Sequence, residues 1–176
     1  PHFWFSIPKW KKATVYVAEE LSKMDPSNAK LYAKNADAYI KRLLTLENNN
    51  KNYLESLPIE KRILVTAHDA FAYFGKNYNF KVVSLQGLST ATEAGVQDVQ
   101  RISNFIIENN IKSIFIESSV PVRTVQALQA AVNAKGHEVQ IGGTLYSDAL
   151  GNPNSVEGTY IGMYEYNMRT ITNALK

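Results

Sequence analysis

Apolar positions recur at helical spacing along the first third of the chain and in short runs thereafter, so the sequence predicts a helical opening followed by an α/β stretch. Trp10, Val15, Ala18 and Leu21 fall near one helical face. Ser6 is the expected N-cap of this helix, and Pro8 sits in its first turn. Residues 1–6, rich in aromatics and opening on proline, are expected to be extended. Asp25-Pro26 should end the helix, because the residue before a proline is pushed out of the α region. A second helix is predicted over 27–56 on Leu31, Ala38, Ile40, Leu43, Leu44, Leu46 and Leu54, weakened locally by Asn48, Asn49 and Asn50. At 1.5 Å per residue it spans on the order of 45 Å. Its apolar repeat is too irregular for a good coiled coil, so it reads as a strut along the outside of the fold. Leu57-Pro58 ends it.

From Lys61 the rhythm changes to strand and helix in alternation. Strands are predicted over 63–67, 81–85, 113–116 and 138–142. Helices are predicted over 70–76 and 95–109, from Pro121 to a terminating Lys135-Gly136, and over 156–175. A polar loop occupies 87–93, and a second, TLYSDALGNPNS, follows the fourth strand. This order gives an α/β fold: a four-stranded parallel sheet flanked by helices, preceded by the long strut helix. Right-handed crossovers are expected. The natural boundary lies near Pro58, and no internal repeat is visible.

Composition narrows the classes. The 176 residues are 45% hydrophobic and 20% charged, enough for one core of ordinary size. The net charge of +3 is small, and no Lys/Arg run interleaves with aromatics, so no nucleic-acid partner is expected. Lys9, Lys11 and Lys12 read as a solvated helix face. The chain has no cysteine, which excludes disulfides, thiolate metal sites and cysteine nucleophiles. No apolar run approaches the roughly 20 residues that span a bilayer. The abrupt PHFWFSIPKW opening, with no leader, reads as the middle of a longer chain, so a fragment or processed piece is expected.

Three polar groups follow predicted strands: His68 after the first, Glu117 after the third, Asp148 shortly after the fourth. Ligands of open α/β sheets sit beyond the carboxyl ends of the strands. An imidazole with carboxylates suits a divalent cation such as Zn²⁺, Mn²⁺ or Fe²⁺. His2 joins the set only if the amino-terminal stretch folds back onto that edge. Bland alternatives stand beside each residue. His68 can cap the next helix or satisfy loop backbone. Glu117 can hydrogen-bond backbone or a ligating histidine without touching metal, and Asp148 can be a turn residue. His137, on the opposite edge, reads as a surface histidine. There is no G-x-G-x-x-G and no phosphate-binding loop. Ser118 and Ser119 lack a G-x-S-x-G elbow, which argues against a Ser119–His68–Asp148 hydrolase. A metallohydrolase using the same His and carboxylates is the alternative reading.

Pro1-His2-Phe3-Trp4-Phe5 resembles the D-P-H-x-W motif of the TroA-like (cluster A-I) receptors, the solute-binding proteins of manganese, zinc and iron ABC transporters. Thr66-Ala67-His68-Asp69-Ala70-Phe71, Leu85-Gln86-Gly87-Leu88-Ser89-Thr90, Phe115-Ile116-Glu117-Ser118-Ser119, Tyr146-Ser147-Asp148-Ala149-Leu150-Gly151 and Glu157-Gly158-Thr159-Tyr160 resemble further blocks of that family, in the right order.

The resemblance implies a non-enzymatic receptor, placed outside the cytoplasmic membrane as a cell-surface lipoprotein or in the periplasm, that hands Mn²⁺ or Zn²⁺ to the membrane permease of an ABC importer. It implies metal ligation by His2, His68 and Asp148, with Glu117 supporting the site from behind. It divides the chain into the tail of an amino-terminal lobe (1–25), a linking strut (26–58) and a carboxyl-terminal metal-binding lobe (59–176). The family's amino-terminal lobe, with its first ligand histidine, has no counterpart here, and neither does the Asp that should precede Pro1. The four-ligand cage is therefore expected to be incomplete. Trp4 and Trp10 are expected to be exposed, or covered by self-association through the surface that lobe would occupy. Where some relatives carry Glu, position 68 is His; nitrogen leans towards zinc by the affinity order, while similar-looking relatives are assigned to manganese import, and manganese is favoured.

Overall fold

The computed structural model describes residues 1–88, 91 and 94–176. Ser89, Thr90, Thr92 and Glu93 lie outside the described residues; they belong to the polar loop predicted over 87–93, and Ser89 and Thr90 also end one of the family-like blocks. The first six residues are not extended as expected. Phe3–Phe5 forms a 3-10 turn, and His2 before it takes the left-handed conformation, φ 58°. Helix α1, Ile7–Met24, opens as its sequence predicts. Ser6 is the N-cap, its hydroxyl accepting from the Lys9 N–H, and Pro8 occupies the first turn. Asp25 ends it. The 3-10 turn Pro26–Asn28 then leads into α2, Ala29–Glu55, whose 27 residues span about 40 Å at 1.5 Å each.

Helices α1 and α2 run antiparallel, joined by Trp10 Nε1–H donating to the Tyr39 hydroxyl and by Lys11 near Glu47. Their predicted apolar faces are only partly used. Leu43, Leu46 and Leu54 are buried, whereas Val15, Leu21, Leu31 and Leu44 are exposed. The reason is position: α1 packs along α2, and only the carboxyl half of α2 reaches the rest of the fold.

Beyond α2 come β1 (Ile63–Thr66), α3 (Ala72–Tyr78), β2 (Lys81–Ser84), α4 (Val96–Glu108), β3 (Ser113–Glu117), α5 (Val122–Ala134), β4 (Gln140–Leu145) and α6 (Tyr160–Leu175). The α/β class holds. The parallel ladders join β1 to β2 and β3 to β4, and β1 lies beside β3, so the expected four-stranded sheet is two parallel pairs set side by side. Alternation along the strands sends Leu64 and Phe115 into a core shared with α2, α3 and α6. Val65 and Ile114 go into a second core shared with α4 and α5. The sheet is therefore a middle layer between two helical layers.

Strand β4 starts later and runs further than predicted. Gly142, the expected last residue of the strand, and Gly143 both lie within it, at a register shift opposite Ile114 and Phe115. The glycines serve close packing. A Cβ on Gly142 would meet Ala174 Cβ at 2.6 Å, and one on Gly143 (φ 151°) would meet Thr170 Cγ2 at 2.5 Å. Helix α6 thus presses directly on β4, carrying the chain to the edge where Asp148 stands. Gly143→Ala should destabilise the fold by about 1–3 kcal/mol through overpacking against α6. Urea unfolding reads this out, and an unchanged midpoint would contradict the close packing of α6.

Candidate metal centre

Each site residue is held by its own local wiring. His68 follows β1, where Thr66 Oγ1 donates to the His68 carbonyl and the Ala70 N–H donates to the same oxygen. Glu117, the last residue of β3, receives the His68 backbone N–H on Oε1 at 2.8 Å, while its Oε2 lies 2.6 Å from His68 Nδ1. Both side chains are fully buried. One carboxylate therefore fixes the residue's backbone and turns Nε2 towards the cleft. A buried carboxylate is tolerated when its oxygens are paired in this way.

Asp148 lies three residues past β4, beyond an amide lock that the sequence reading missed. Asn167 Oδ1 accepts from Tyr146 N–H, and Asn167 Nδ2 donates to the Tyr146 carbonyl. The available signal was a lone Asn beside the apolar face of Tyr164, Met168 and Ile171. Ser147 adds a second hold, its hydroxyl 2.7 Å from that of Ser119. Ser119 is thus engaged with Ser147, and Glu117 with His68; neither is arranged as the nucleophile or the free base of a hydrolase.

The amino-terminal stretch does fold back onto this edge. Trp4 Nε1–H donates to the Ser147 carbonyl, and the Trp4 and Phe5 carbonyls accept from the hydroxyls of Tyr160 and Tyr164. These tethers hold His2 in its left-handed conformation, which costs about 1–2 kcal/mol for a residue other than glycine. His2 Nε2 lies 3.2 Å from Asp148 Oδ1, and His68 Nε2 lies 3.3 Å from Asp148 Oδ2. Among the described residues, His2, His68 and Asp148 form a cluster whose candidate ligand atoms lie within 4.8 Å of one another. The histidines are buried and Asp148 is partly open, its side chain 35% exposed. Two imidazole nitrogens and a carboxylate oxygen, all reaching one point, are a donor set for a first-row dication.

Trp4 and Trp10 are not exposed as expected. Both are half-buried against this chain's own residues, Trp10 stacking on Tyr160 with centroids 4.7 Å apart. Beside Asp148 they line an apolar cleft of about 230 Å³ with Leu150, Tyr160 and Met163. His137 lies away from the cluster, bonded through Nε2 to the Ile111 carbonyl. Among the described residues no helix is long and apolar enough to cross a membrane.

The site's charges move the His68 pKa. Burial, the largest influence, lowers it, but the Glu117 hydrogen bond and charge, together with Asp148, outweigh burial and raise it above the ordinary 6.5. Protonated His68 is therefore held more tightly by the folded chain than by the unfolded one. This contribution is complete below about pH 6.5 and fades as pH rises through the elevated folded-state value. Glu117→Gln should lower the His68 pKa, read by NMR titration of the metal-free protein. It should also reduce the loss of thermal stability as pH rises above about 6.5. A pKa unmoved by the substitution would contradict the pairing.

The whole chain resembles known metal-binding proteins. Residues 1–174 match the family model described as ZnuA, zinc-uptake complex component A, periplasmic. The manganese-binding lipoprotein MntA of Bacillus subtilis is 47% identical over 176 residues, all of this chain and 58% of the relative. The zinc-binding protein TroA of Treponema pallidum is 46% identical over 175 residues, 99% of this chain and 57% of the relative. The solved structure of the T. pallidum periplasmic zinc-binding protein TroA superimposes with a TM-score of 0.97, covering 99% of this chain and 63% of that one. The chain thus spans a little under three fifths of the length of these two curated relatives.

Proposed function

The chain belongs to the ZnuA family of metal-specific substrate-binding proteins of ABC transporters, and from that premise we propose that it captures a divalent transition metal outside the cytoplasmic membrane and passes it to the permease of an ABC importer. The metal is cargo, and the chain performs no chemistry on it. His2, His68 and Asp148 are its ligands in this reading, and Glu117 holds His68 from behind. The observation that carries the proposal is the convergence of these three side chains from sequence positions up to 146 apart (148 − 2) onto one sheet edge. The division into an amino-terminal tail (1–25), a strut (26–58) and a metal-binding lobe (59–176) belongs to the same proposal. Support comes from the break in character near Pro58 and from α2, a single uninterrupted helix of 27 residues.

Manganese is the proposed cargo, with zinc next. The family relatives named for the two metals are almost equally similar, so identity does not separate them. A site of two imidazoles and a carboxylate binds zinc more tightly by the affinity order, so manganese loading must depend on which metal is available. The carboxylate and the absence of thiolate suit manganese among the harder ions.

Calorimetric titration of the full-length protein with Mn²⁺ and Zn²⁺ tests the reading. His68→Ala and Asp148→Ala should each weaken binding at least as much as the roughly 10–100-fold that losing a supporting partner costs. Unchanged affinity in both variants would end it. Capture should also weaken as pH falls, because a proton competes for His68 Nε2. The raised His68 pKa places the onset above the pH at which a free imidazole titrates.

A further inference from the structure

Two hydroxyls on α6 do work that their place in an apolar face conceals. Tyr160 and Tyr164 stand one helical turn apart, so their side chains leave the same side of the helix. The Tyr160 hydroxyl donates to the Trp4 carbonyl at 2.6 Å, and the Tyr164 hydroxyl to the Phe5 carbonyl at 2.8 Å. These consecutive carbonyls lie where the 3-10 turn gives way to α1. The turn's own bonds use the His2 and Phe3 carbonyls, and α1 begins by using that of Ser6. The Trp4 and Phe5 carbonyls serve neither set of bonds and take their hydrogen bonds from side chains, Phe5 itself being 1% exposed. Asn77 Nδ2 donates to the Phe5 carbonyl from further off, at 3.3 Å.

The turn so held is the one that carries His2. Its Phe5 N–H donates to the His2 carbonyl, and the His2 ring lies edge-on to Trp4 and to His68, 5.3 Å from each. Because His2 is left-handed, its direction depends on contacts downstream of it. We propose that Tyr160 and Tyr164 are positioning residues for metal capture, their hydroxyls clamping the Trp4 and Phe5 carbonyls so that His2 faces Asp148 and His68. The proposal rests on the reading of the cluster as a metal site.

Metal affinity of the full-length protein, measured by Mn²⁺ titration, tests it through Tyr160→Phe, Tyr164→Phe and the double variant, each also made in a His2→Ala background. Phenylalanine keeps the rings and removes only the hydroxyls, and thermal unfolding checks that each variant is folded. The double variant should raise the Mn²⁺ dissociation constant by roughly 10–100-fold. In the His2→Ala background the same changes should have almost no further effect, since the residue through which they act is gone. Equal losses in both backgrounds would assign the hydroxyls to general stability and overturn the proposal, as would undiminished affinity in every Tyr→Phe variant. If the double variant does not fold, the single variants carry the same comparison. Loss of affinity on His2→Ala with none on Tyr→Phe sinks this inference alone. Failure of the parent protein to bind Mn²⁺, or indifference to His2→Ala, sinks both this inference and the ligand role of His2.

Discussion

The pairing of Glu117 with His68 is the constraint from which the rest of the site follows. It joins the ends of β1 and β3 where no ladder bond is made between those strands, and it does so with both carboxylate oxygens. A carboxylate with no exposed surface is costly unless its lone pairs are used. Here the backbone N–H and the ring Nδ1 of one residue use them. The strand ends, the loop after β1 and the direction of an imidazole are thus fixed together. A histidine held this way at Nδ1 offers a single nitrogen, Nε2, in a set direction, and a neighbouring carboxylate raises its basicity as a ligand.

The second half of the site is built by a different device. His2 lies near the start of the chain and Asp148 near its end, and they meet because the Phe3–Phe5 turn is fastened to the β4 edge by Trp4 and to α6 by its carbonyls. Bringing such distant segments together costs chain entropy. The tight α6–β4 contact at Gly142 and Gly143 and the Asn167 lock on Tyr146 help repay it. Both place the Tyr146–Asp148 segment relative to the helix that holds the turn. Packing far from the candidate metal centre thereby sets a distance between two candidate ligand atoms.

Much of this could be read from sequence, for physical reasons. The Ser6 cap, the Asp25-Pro26 break and the long α2 are local signals, and the structure keeps them. His68, Glu117 and Asp148 could be found because strand ends in parallel sheets share an edge. The failures are equally instructive. The fourth strand is predicted to stop at Gly142, short of its end at Leu145, because a sequence does not show that a helix lies 2.6 Å from where a Cβ would stand. Residues 1–6 read as extended because the 3-10 turn is held by groups about 140–160 positions away. Tyr164 falls on the apolar face of α6 in sequence because periodicity registers its ring and ignores its hydroxyl. Leu31 and Leu44 belong to the apolar stripe that predicts α2 yet are exposed, because periodicity identifies a face without saying what covers it.

Charge explains why such an edge favours a dication. With both imidazoles neutral, Glu117 and Asp148 bring two carboxylates to a place where His2 and His68 are buried and no Lys or Arg is seen to pair with either acid among the described residues. The fold answers this excess as far as it can by raising the proton affinity of His68. One proton offsets half of the charge and must occupy a nitrogen that would otherwise be a ligand. A divalent ion bound as proposed would offset all of it and use both imidazoles and Asp148 at once. Asp148 contacts both rings, at 3.2 and 3.3 Å, and so stands between the two imidazoles. The candidate ligand atoms already lie within 4.8 Å of one another, so the proposed capture asks for small side-chain shifts, with the backbone staying where Glu117 and the turn tethers hold it.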